Sequence, residues 1–131
     1  MLQKNQISNS FYSAIDKEYE EYRILSQSKS DEVTFDRYYR YEEIEKFLDK
    51  LEGSNSNVKV ENIGKSFEGR NLKTVTITKG DGKSRNSVFI DGGIHAREWI
   101  APAMSLYLID QLMDSRSNFS KLLDQMDFVI Q

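Results

Sequence analysis

The sequence predicts an α/β protein in which a mixed, mainly parallel sheet is flanked by helices. Short runs rich in β-branched residues lie between residues 58 and 91, which is typical of strands. A long apolar stretch with helical spacing follows at 98–113, and a further strand-like run occupies 127–131. A strand, a helix and a second strand in this order indicate a parallel crossover, the repeating unit of α/β sheets.

Composition and charge describe a globular chain and exclude several kinds of site. Hydrophobic residues make up 38% and charged residues 30% of the 131 residues, and no apolar run approaches the roughly 20 residues that span a bilayer. The net charge of −3 provides no basic surface, so we expect neither a nucleic-acid nor a membrane partner. The chain contains no cysteine, which excludes disulfides, thiolate zinc sites and cysteine nucleophiles.

The first 34 residues predict one surface helix and a linker. A helix is expected over 8–25, where apolar side chains recur at spacings of four, four and three: Phe11, Ile15, Tyr19 and Tyr22. The polar run SQSKSDEVT at 26–34 has no periodicity and predicts an exposed connection. We therefore divide the chain into residues 1–33 and 34–131.

A second amphipathic helix, YEEIEKFLDKLE, is expected over 41–52. Gly53 follows it and is a common C-terminal stop. The apolar stripe of this helix contains Ile44, Phe47, Leu48 and Leu51. The stripe predicts that the helix packs against a core with one face only.

Three strands are expected at 58–64, 72–80 and 87–91, with a turn in GDGKS at 80–84. The second strand places Val75 and Ile77 on one face and threonines on the other. The third, SVFID, is a nearly continuous apolar run, which predicts burial on both faces.

The helix predicted at 98–113 has apolar residues at helical spacing: Ile100, Met104, Tyr107, Leu108 and Leu112. Pro102 is compatible with this helix because the backbone N–H groups of a first turn have no intrahelical partner. A short helix at 118–126 and a buried strand at 127–131 follow.

The stretch IDGGIHAREWIAP at 90–102 contains the only histidine, His95, with Glu98 three residues later. Imidazole nitrogen and carboxylate oxygen both bind zinc. The pair follows the carboxyl end of a predicted strand, where ligand sites gather in open α/β sheets, and two glycines permit a sharp turn before it. Two interpretations stay open on these residues: two zinc ligands, or a loop histidine near a glutamate that the helix dipole favours.

The segment VFIDGGIHAREWIAPA resembles the zinc-binding segment of the carboxypeptidase A/B group of zinc metallocarboxypeptidases, the M14 peptidase family. The resemblance includes Asp91, Gly93, Ile94 and the HAREW core at 95–99. GKSFEGRNLKTVTIT is similar to a strand–loop–strand segment of this family, and FDRYYRYEEIEKFLDKL to the first helix of its mature enzymes. The likeness extends in order over residues 34–131.

The resemblance implies Zn²⁺ as cofactor, with His95 as the first and Glu98 as the second protein ligand. Arg97 would contact the backbone of the substrate, which would be the C-terminus of a peptide or protein. A zinc-activated water would hydrolyse the last peptide bond and release one amino acid. Asp91 would either support the loop beneath the metal or act as a plain turn cap.

The same resemblance implies that Trp99, Ile100 and Pro102 are packing residues at the start of a helix and carry no chemistry.

The resemblance also gives expectations for activation and secretion. Residues 1–33 are similar to the end of a zymogen activation segment, which an endopeptidase would cut within 23–34. The protein would be secreted, although its first 22 residues contain no apolar stretch typical of a signal peptide.

Other parts of the family's mechanism have no counterpart in this sequence. The second histidine ligand, the catalytic glutamate and the specificity pocket of the family lie beyond position 131, so no catalytic residue is assigned within the chain. We therefore expect the N-terminal portion of the fold, truncated after its first crossover helix, and no activity of the 131 residues alone. The alternative is a truncated, non-catalytic relative that serves as a binding module.

Overall fold

A computed structural model describes residues 33–80 and 85–131, together with Ser13, Asp16 and Lys17. Those three residues are helical, but the rest of the predicted helix at 8–25 lies outside the described residues. So do most of the predicted linker and residues 81–84 of the predicted turn. The chain divides into two compact units, Met1–Arg37 and Tyr38–Gln131, and the second contains every element described below.

Along the chain, the second unit begins with a helix and three strands, and then continues with a helix, a 3₁₀ helix and a last strand. Its elements are α1 (Tyr41–Ser54), β1 (Val58–Lys65), β2 (Asn71–Ile77), β3 (Ser87–Ile90), α2 (Ile100–Met113), a 3₁₀ helix (Asn118–Asp124) and β4 (Asp127–Ile130). Every element that sequence predicted between residues 41 and 131 is present, with boundaries that differ by a few residues.

The strands form one mixed sheet in the order β1-β2-β4-β3. β1 pairs with β2 and β2 with β4 in antiparallel register, whereas β3 and β4 are parallel. The predicted mixed α/β sheet and the parallel crossover from β3 through α2 to β4 are therefore confirmed. Parallel pairing does not predominate among these four strands, because a hairpin joins β1 to β2 and β4 inserts beside that hairpin.

The core lies on one face of the sheet, where the inward side chains of three strands meet both helices. Directly paired residues share a face, so Val58 opposite Ile77, and Ile77 opposite Phe128, form a continuous apolar row. The buried core contains Leu48, Val58, Val75, Ile77, Ile109, Leu112, Leu123, Phe128 and Ile130. Ile109 and Leu112 of α2 belong to this cluster, so the core holds α2 against the sheet.

The apolar stripe predicted for α1 is confirmed. Leu48 is buried, and the other three stripe residues are partly buried against the same core. The predicted stop at Gly53 is wrong, because the helix continues through Ser54. At its C-terminal end the Ser54 hydroxyl donates to Lys50 O at 2.9 Å, and the Asn55 side-chain amide donates to Leu51 O at 3.0 Å.

The prediction that β3 is buried on both faces is wrong. Val88 is 37% and Phe89 is 61% exposed. β3 has a single neighbour among the described strands, so a continuous apolar run does not produce burial here. β4 lies between two strands, and its Phe128 and Ile130 are buried as predicted.

The buried face of α2 also differs from the predicted stripe. Leu106, Ile109 and Leu112 are buried, whereas Ile100, Met104 and Tyr107 are more than 40% exposed. Apolar residues occur on every side of this helix, so their spacing does not single out the face that packs. The helix begins at Ile100 rather than Glu98, with Pro102 in its first turn as predicted. No helix in the described ranges is long and apolar enough to cross a membrane.

Candidate metal centre

The predicted site lies in the loop 91–99, which leaves the carboxyl end of β3 and enters α2. This loop connects β3, which pairs with β4, to α2, which packs in the core. Asp91 begins it, and Trp99 occupies the position before the first helical residue. His95, Arg97 and Glu98 lie in this one short, exposed segment, which follows the edge strand β3.

The carboxylate of Asp91 holds the first part of the loop. Its Oδ1 accepts the backbone N–H of Gly93 at 3.1 Å and that of Ile94 at 3.2 Å. A carboxylate that accepts two successive backbone donors fixes the direction in which the chain leaves the strand. The turn-capping role that was one of two options for Asp91 is therefore present in the structure.

Gly92 is buried between the end of β4 and helix α2. Its N–H donates to the carbonyl of Gln131 at 2.8 Å, which prolongs the β3–β4 ladder by one bond. A Cβ at this position would lie 2.0 Å from Ser105 Oγ and 3.3 Å from the carbonyl oxygen of Ala101. Only glycine permits this approach of the loop to the helix.

His95 and Glu98 are the ends of one tight turn. The N–H of Glu98 donates to the carbonyl of His95 at 2.9 Å, and the N–H of Ala101 donates to the carbonyl of Glu98 at 2.9 Å. The first bond closes the turn, and the second joins it to the start of α2. The side chains of His95, Arg97 and Glu98 are exposed, and no other residue of the described ranges forms a hydrogen bond or ion pair with them.

The chemistry of the two donors fits zinc, since it takes imidazole nitrogen and carboxylate oxygen. Their number falls short, because catalytic zinc sites use three protein ligands. Within residues 33–80 and 85–131, no group of three His, Cys, Asp or Glu side chains is close enough to hold a metal ion. His95 and Glu98 would therefore be part of a ligand set.

Trp99 contacts the segment that precedes α1. Its ring meets the ring of Tyr38 edge to face, with 5.7 Å between centroids and 87° between planes. Such pairs stabilise by about 0.5–1.5 kcal/mol beyond the area they bury. Trp99 is 52% exposed, so its predicted packing role is limited to this ring contact, and Ile100, which is 58% exposed, does not have the predicted packing role.

An apolar cleft of about 320 Å³ lies between the end of β3 and the outer side of α2. It is lined mainly by Ile90, Gly92, Met104, Leu108 and Phe119. None of the three predicted site residues lines this cleft. The cleft and the candidate metal centre are therefore neighbouring features rather than one pocket.

Shifted pKa values occur away from the loop, where α1 packs on β2. The hydrogen bond from Lys73 Nζ to Asp49, at 2.7 Å, raises the pKa of Lys73 above its ordinary value, and Glu45 adds to the effect. Burial raises the pKa of Tyr41, with a further contribution from the charge of Glu45. These groups attach the helix to the sheet and do not belong to the candidate centre.

Two residues that contact the loop were not foreseen from sequence. Ser105 lies ten residues after His95, and its contact with Gly92 arises only once α2 folds back over the end of β3. Tyr38 reaches Trp99 across 61 positions of sequence. The one available signal was the pair of glycines at 92 and 93, which indicates a close backbone approach without saying to what.

The family model for zinc carboxypeptidases, Peptidase_M14, matches residues 44–131, which contain the sheet and the loop 91–99. The chain belongs to the M14 zinc carboxypeptidase family. It is 37% identical over 94 residues to carboxypeptidase B of Astacus astacus, covering 71% of this chain and 31% of that protein. It is 36% identical over 104 residues to zinc carboxypeptidase A 1 of Anopheles gambiae, covering 77% of this chain and 24% of that protein.

The fold agrees with this zinc carboxypeptidase assignment. The crystal structure of carboxypeptidase A from Helicoverpa armigera matches with a TM-score of 0.71 and 31% identity, over 81% of this chain and 27% of that one. The chain spans less than a third of the length of each of these M14 relatives. Relatives named carboxypeptidase A and carboxypeptidase B each match more than two thirds of the chain.

Proposed function

We propose that the chain supplies the first two zinc ligands of a metallocarboxypeptidase, His95 and Glu98. The observation that carries the proposal is the hydrogen bond of 2.9 Å from Glu98 N–H to the His95 carbonyl. It keeps an imidazole and a carboxylate in one turn at the carboxyl end of a strand. The turn belongs to the segment that matches the zinc carboxypeptidase family, residues 44–131.

Each residue has a chemical task in this proposal. Bound zinc polarises a peptide carbonyl and lowers the pKa of its water toward about 7. The chain's own part is to present the imidazole of His95 and the carboxylate of Glu98 from one turn. Arg97 is exposed between them and carries five N–H donors, which suit the carbonyl oxygens of a bound peptide.

The reaction we propose is hydrolysis of the last peptide bond of a peptide or protein, with release of its C-terminal amino acid. An extracellular enzyme made as a zymogen, with an activating endopeptidase acting between residues 23 and 34, is part of the same proposal. Its support is the resemblance of the chain to this group of peptidases. The whole reaction needs a third protein ligand and a general base besides the residues named here.

The 131 residues alone should therefore bind zinc weakly and should not hydrolyse peptides. The chain has one histidine, so it cannot provide the two histidines and one glutamate of a catalytic site by itself. Loss of a general base alone removes a factor of about 10²–10⁴ in rate. A non-catalytic binding module is the competing outcome of the experiment that follows.

Equilibrium dialysis against Zn²⁺, combined with a peptidase assay, tests the proposal. Wild-type chain should bind one zinc per molecule, and His95→Ala and Glu98→Gln should each abolish this site. Glu68→Gln is the matched control, because Glu68 is an exposed carboxylate in the β1–β2 turn, paired with Arg70. The control should bind zinc like wild type.

The assay uses dipeptides with a blocked N-terminus and a C-terminal Phe or Lys. Zinc binding that survives both site substitutions would refute the ligand assignment. Turnover by the 131-residue chain would refute the expected inactivity. A stable monomer without any zinc binding would favour the non-catalytic alternative.

A further inference from the structure

The segment from Gly93 to Glu98 has little packing of its own. A Cβ on Gly93 would meet no atom within 4 Å, and the side chain of Ile94 is 77% exposed. His95 and Arg97 are exposed as well. Side-chain burial therefore does not order this segment, and its conformation depends on hydrogen bonds and on the points where it is anchored.

We propose that Asp91 and Gly92 are positioning residues that hold the His95–Glu98 turn in its metal-binding conformation before a metal arrives. The inference rests on the proposed function, since it concerns the same two ligands. It goes beyond that function because neither residue would touch the metal. Asp91 anchors the backbone that leads to His95, and Gly92 anchors the loop to the helix that begins after Glu98.

Asp91 supplies the first anchor through two bonds to one oxygen. Gly93 and Ile94 both donate to Oδ1, and Ile94 is the residue directly before His95. Without the acceptor, these two N–H groups would turn toward water, and the backbone before His95 would sample other directions. A metal would then have to select one conformation among several, which weakens its apparent affinity.

Gly92 supplies the second anchor through contacts on both sides. Its N–H bonds the carbonyl of Gln131 beyond β4, and its Cα lies against Ser105 and the carbonyl of Ala101 in α2. The N–H of Ala101 in turn bonds the carbonyl of Glu98. These contacts hold the loop to the end of β4 through Gly92 and to the start of α2 through Glu98. The side chains of His95 and Glu98 are exposed.

Hydrogen exchange of the metal-free chain tests the first anchor directly. The amides of Gly93 and Ile94 should exchange slowly in wild type and in Asp91→Asn, whose side-chain oxygen still accepts. They should exchange quickly in Asp91→Ala. The amides of Ile77 and Leu112 in the core report that each variant is folded. Equal exchange at Gly93 and Ile94 in all three proteins would overturn the inference.

Metal binding tests the consequence, with Trp99 as reporter. The chain has one tryptophan, and it follows Glu98, so Co²⁺ at the site should quench its fluorescence. Asp91→Ala should weaken Co²⁺ binding about 10-fold, the lower end of the effect that outer supports of metal ligands have. Asp91→Asn should bind like wild type, which separates positioning from the attraction of a cation by the Asp91 charge.

Asp114→Ala is the matched control. Asp114 occupies the C-cap of α2, and its Oδ1 accepts the backbone N–H of Arg116 at 2.9 Å. The substitution therefore removes a carboxylate that accepts a backbone bond, but at the end of α2 far from the loop. It should leave Co²⁺ binding unchanged. Equal weakening in Asp91→Asn and Asp91→Ala would overturn the positioning role. Quenching that does not depend on His95 would instead refute the proposed function, while slow exchange at Gly93 and Ile94 would still support the anchor.

Discussion

Replacing Gly92 with alanine should destabilise the protein through one defined contact. The added Cβ would lie 2.0 Å from Ser105 Oγ, 3.0 Å from Ser105 Cβ and 3.3 Å from the carbonyl oxygen of Ala101. Carbon and oxygen atoms pack at roughly 3.5 Å, so either the Ser105 side chain or the helix must move. Such overpacking lowers the free energy of unfolding by about 1–3 kcal/mol.

The two neighbours differ in how easily they give way. Ser105 Oγ donates to the Ala101 carbonyl at 3.1 Å, and rotation of the hydroxyl away from Gly92 would break that bond. The carbonyl of Ala101 belongs to the helix backbone and moves only with α2. Helix α2 in turn carries Leu106, Ile109 and Leu112 in the core, so a rigid shift of the helix disturbs packing elsewhere.

A double-mutant cycle with Ser105→Gly isolates this contact. Ser105→Gly alone should lower the free energy of unfolding by about 0.5 kcal/mol, the difference in helix propensity. It removes both serine atoms that clash, so Gly92→Ala should have little further effect in that background. The coupling free energy should be about 1–2 kcal/mol in favour of the double variant.

Urea unfolding followed by circular dichroism provides the free energies. Gly93→Ala is the matched control, because a Cβ there meets no atom within 4 Å. It should be neutral or stabilise by about 0.4–1 kcal/mol through the unfolded state. A Gly92→Ala variant as stable as wild type, or a cycle without coupling, would refute the close approach of the loop to α2.

Two further predictions concern the fold. Ile77 is fully buried, so Ile77→Ala should lower the free energy of unfolding by about 2–5 kcal/mol, whereas Ile63→Ala, at a site 54% exposed, should change it by less than about 0.5 kcal/mol. Equal effects in urea unfolding would contradict the assigned core. The folded-state pKa of Lys73 is raised, so the stability it provides is fully present below its ordinary pKa of 10.5 and is lost as pH rises through the raised value. Lys73→Met should therefore lower the free energy of unfolding by about 1 kcal/mol at neutral pH. This difference from wild type should shrink above pH 10.5. A difference in the free energy of unfolding that grows with pH would contradict the pairing with Asp49.

Local patterns predicted the elements well. The α1 stripe from Ile44 to Leu51 repeats with the helical period and has polar residues opposite, so it could pack in one way only. Val75 and Ile77 alternate with threonines, which determines the inward face of β2. The assignment of His95 and Glu98 as zinc ligands stays a prediction, which rests on the family segment around them.

Features that depend on distant contacts were not predictable in this way. Helix α2 is apolar on all sides, so its sequence does not determine which face packs. Leu106 and Ile109 are buried and Met104 is exposed because of the way the folded helix packs against the rest of the protein. The exposure of Phe89 depends on which strands flank β3. The approach of Gly92 to Ser105 needs the crossover to be complete, and no spacing rule in the sequence encodes it.

X-ray absorption at the zinc edge tests the central claim most directly, because it identifies the atoms bound to the metal. Zinc-loaded wild-type chain should show one imidazole and one carboxylate at about 2.0–2.2 Å, with water completing the shell. The imidazole scattering should disappear in His95→Ala, because that variant lacks the only histidine of the chain. Zinc without imidazole in the wild-type protein, or an unchanged spectrum in His95→Ala, would contradict the assignment of this turn as a metal centre.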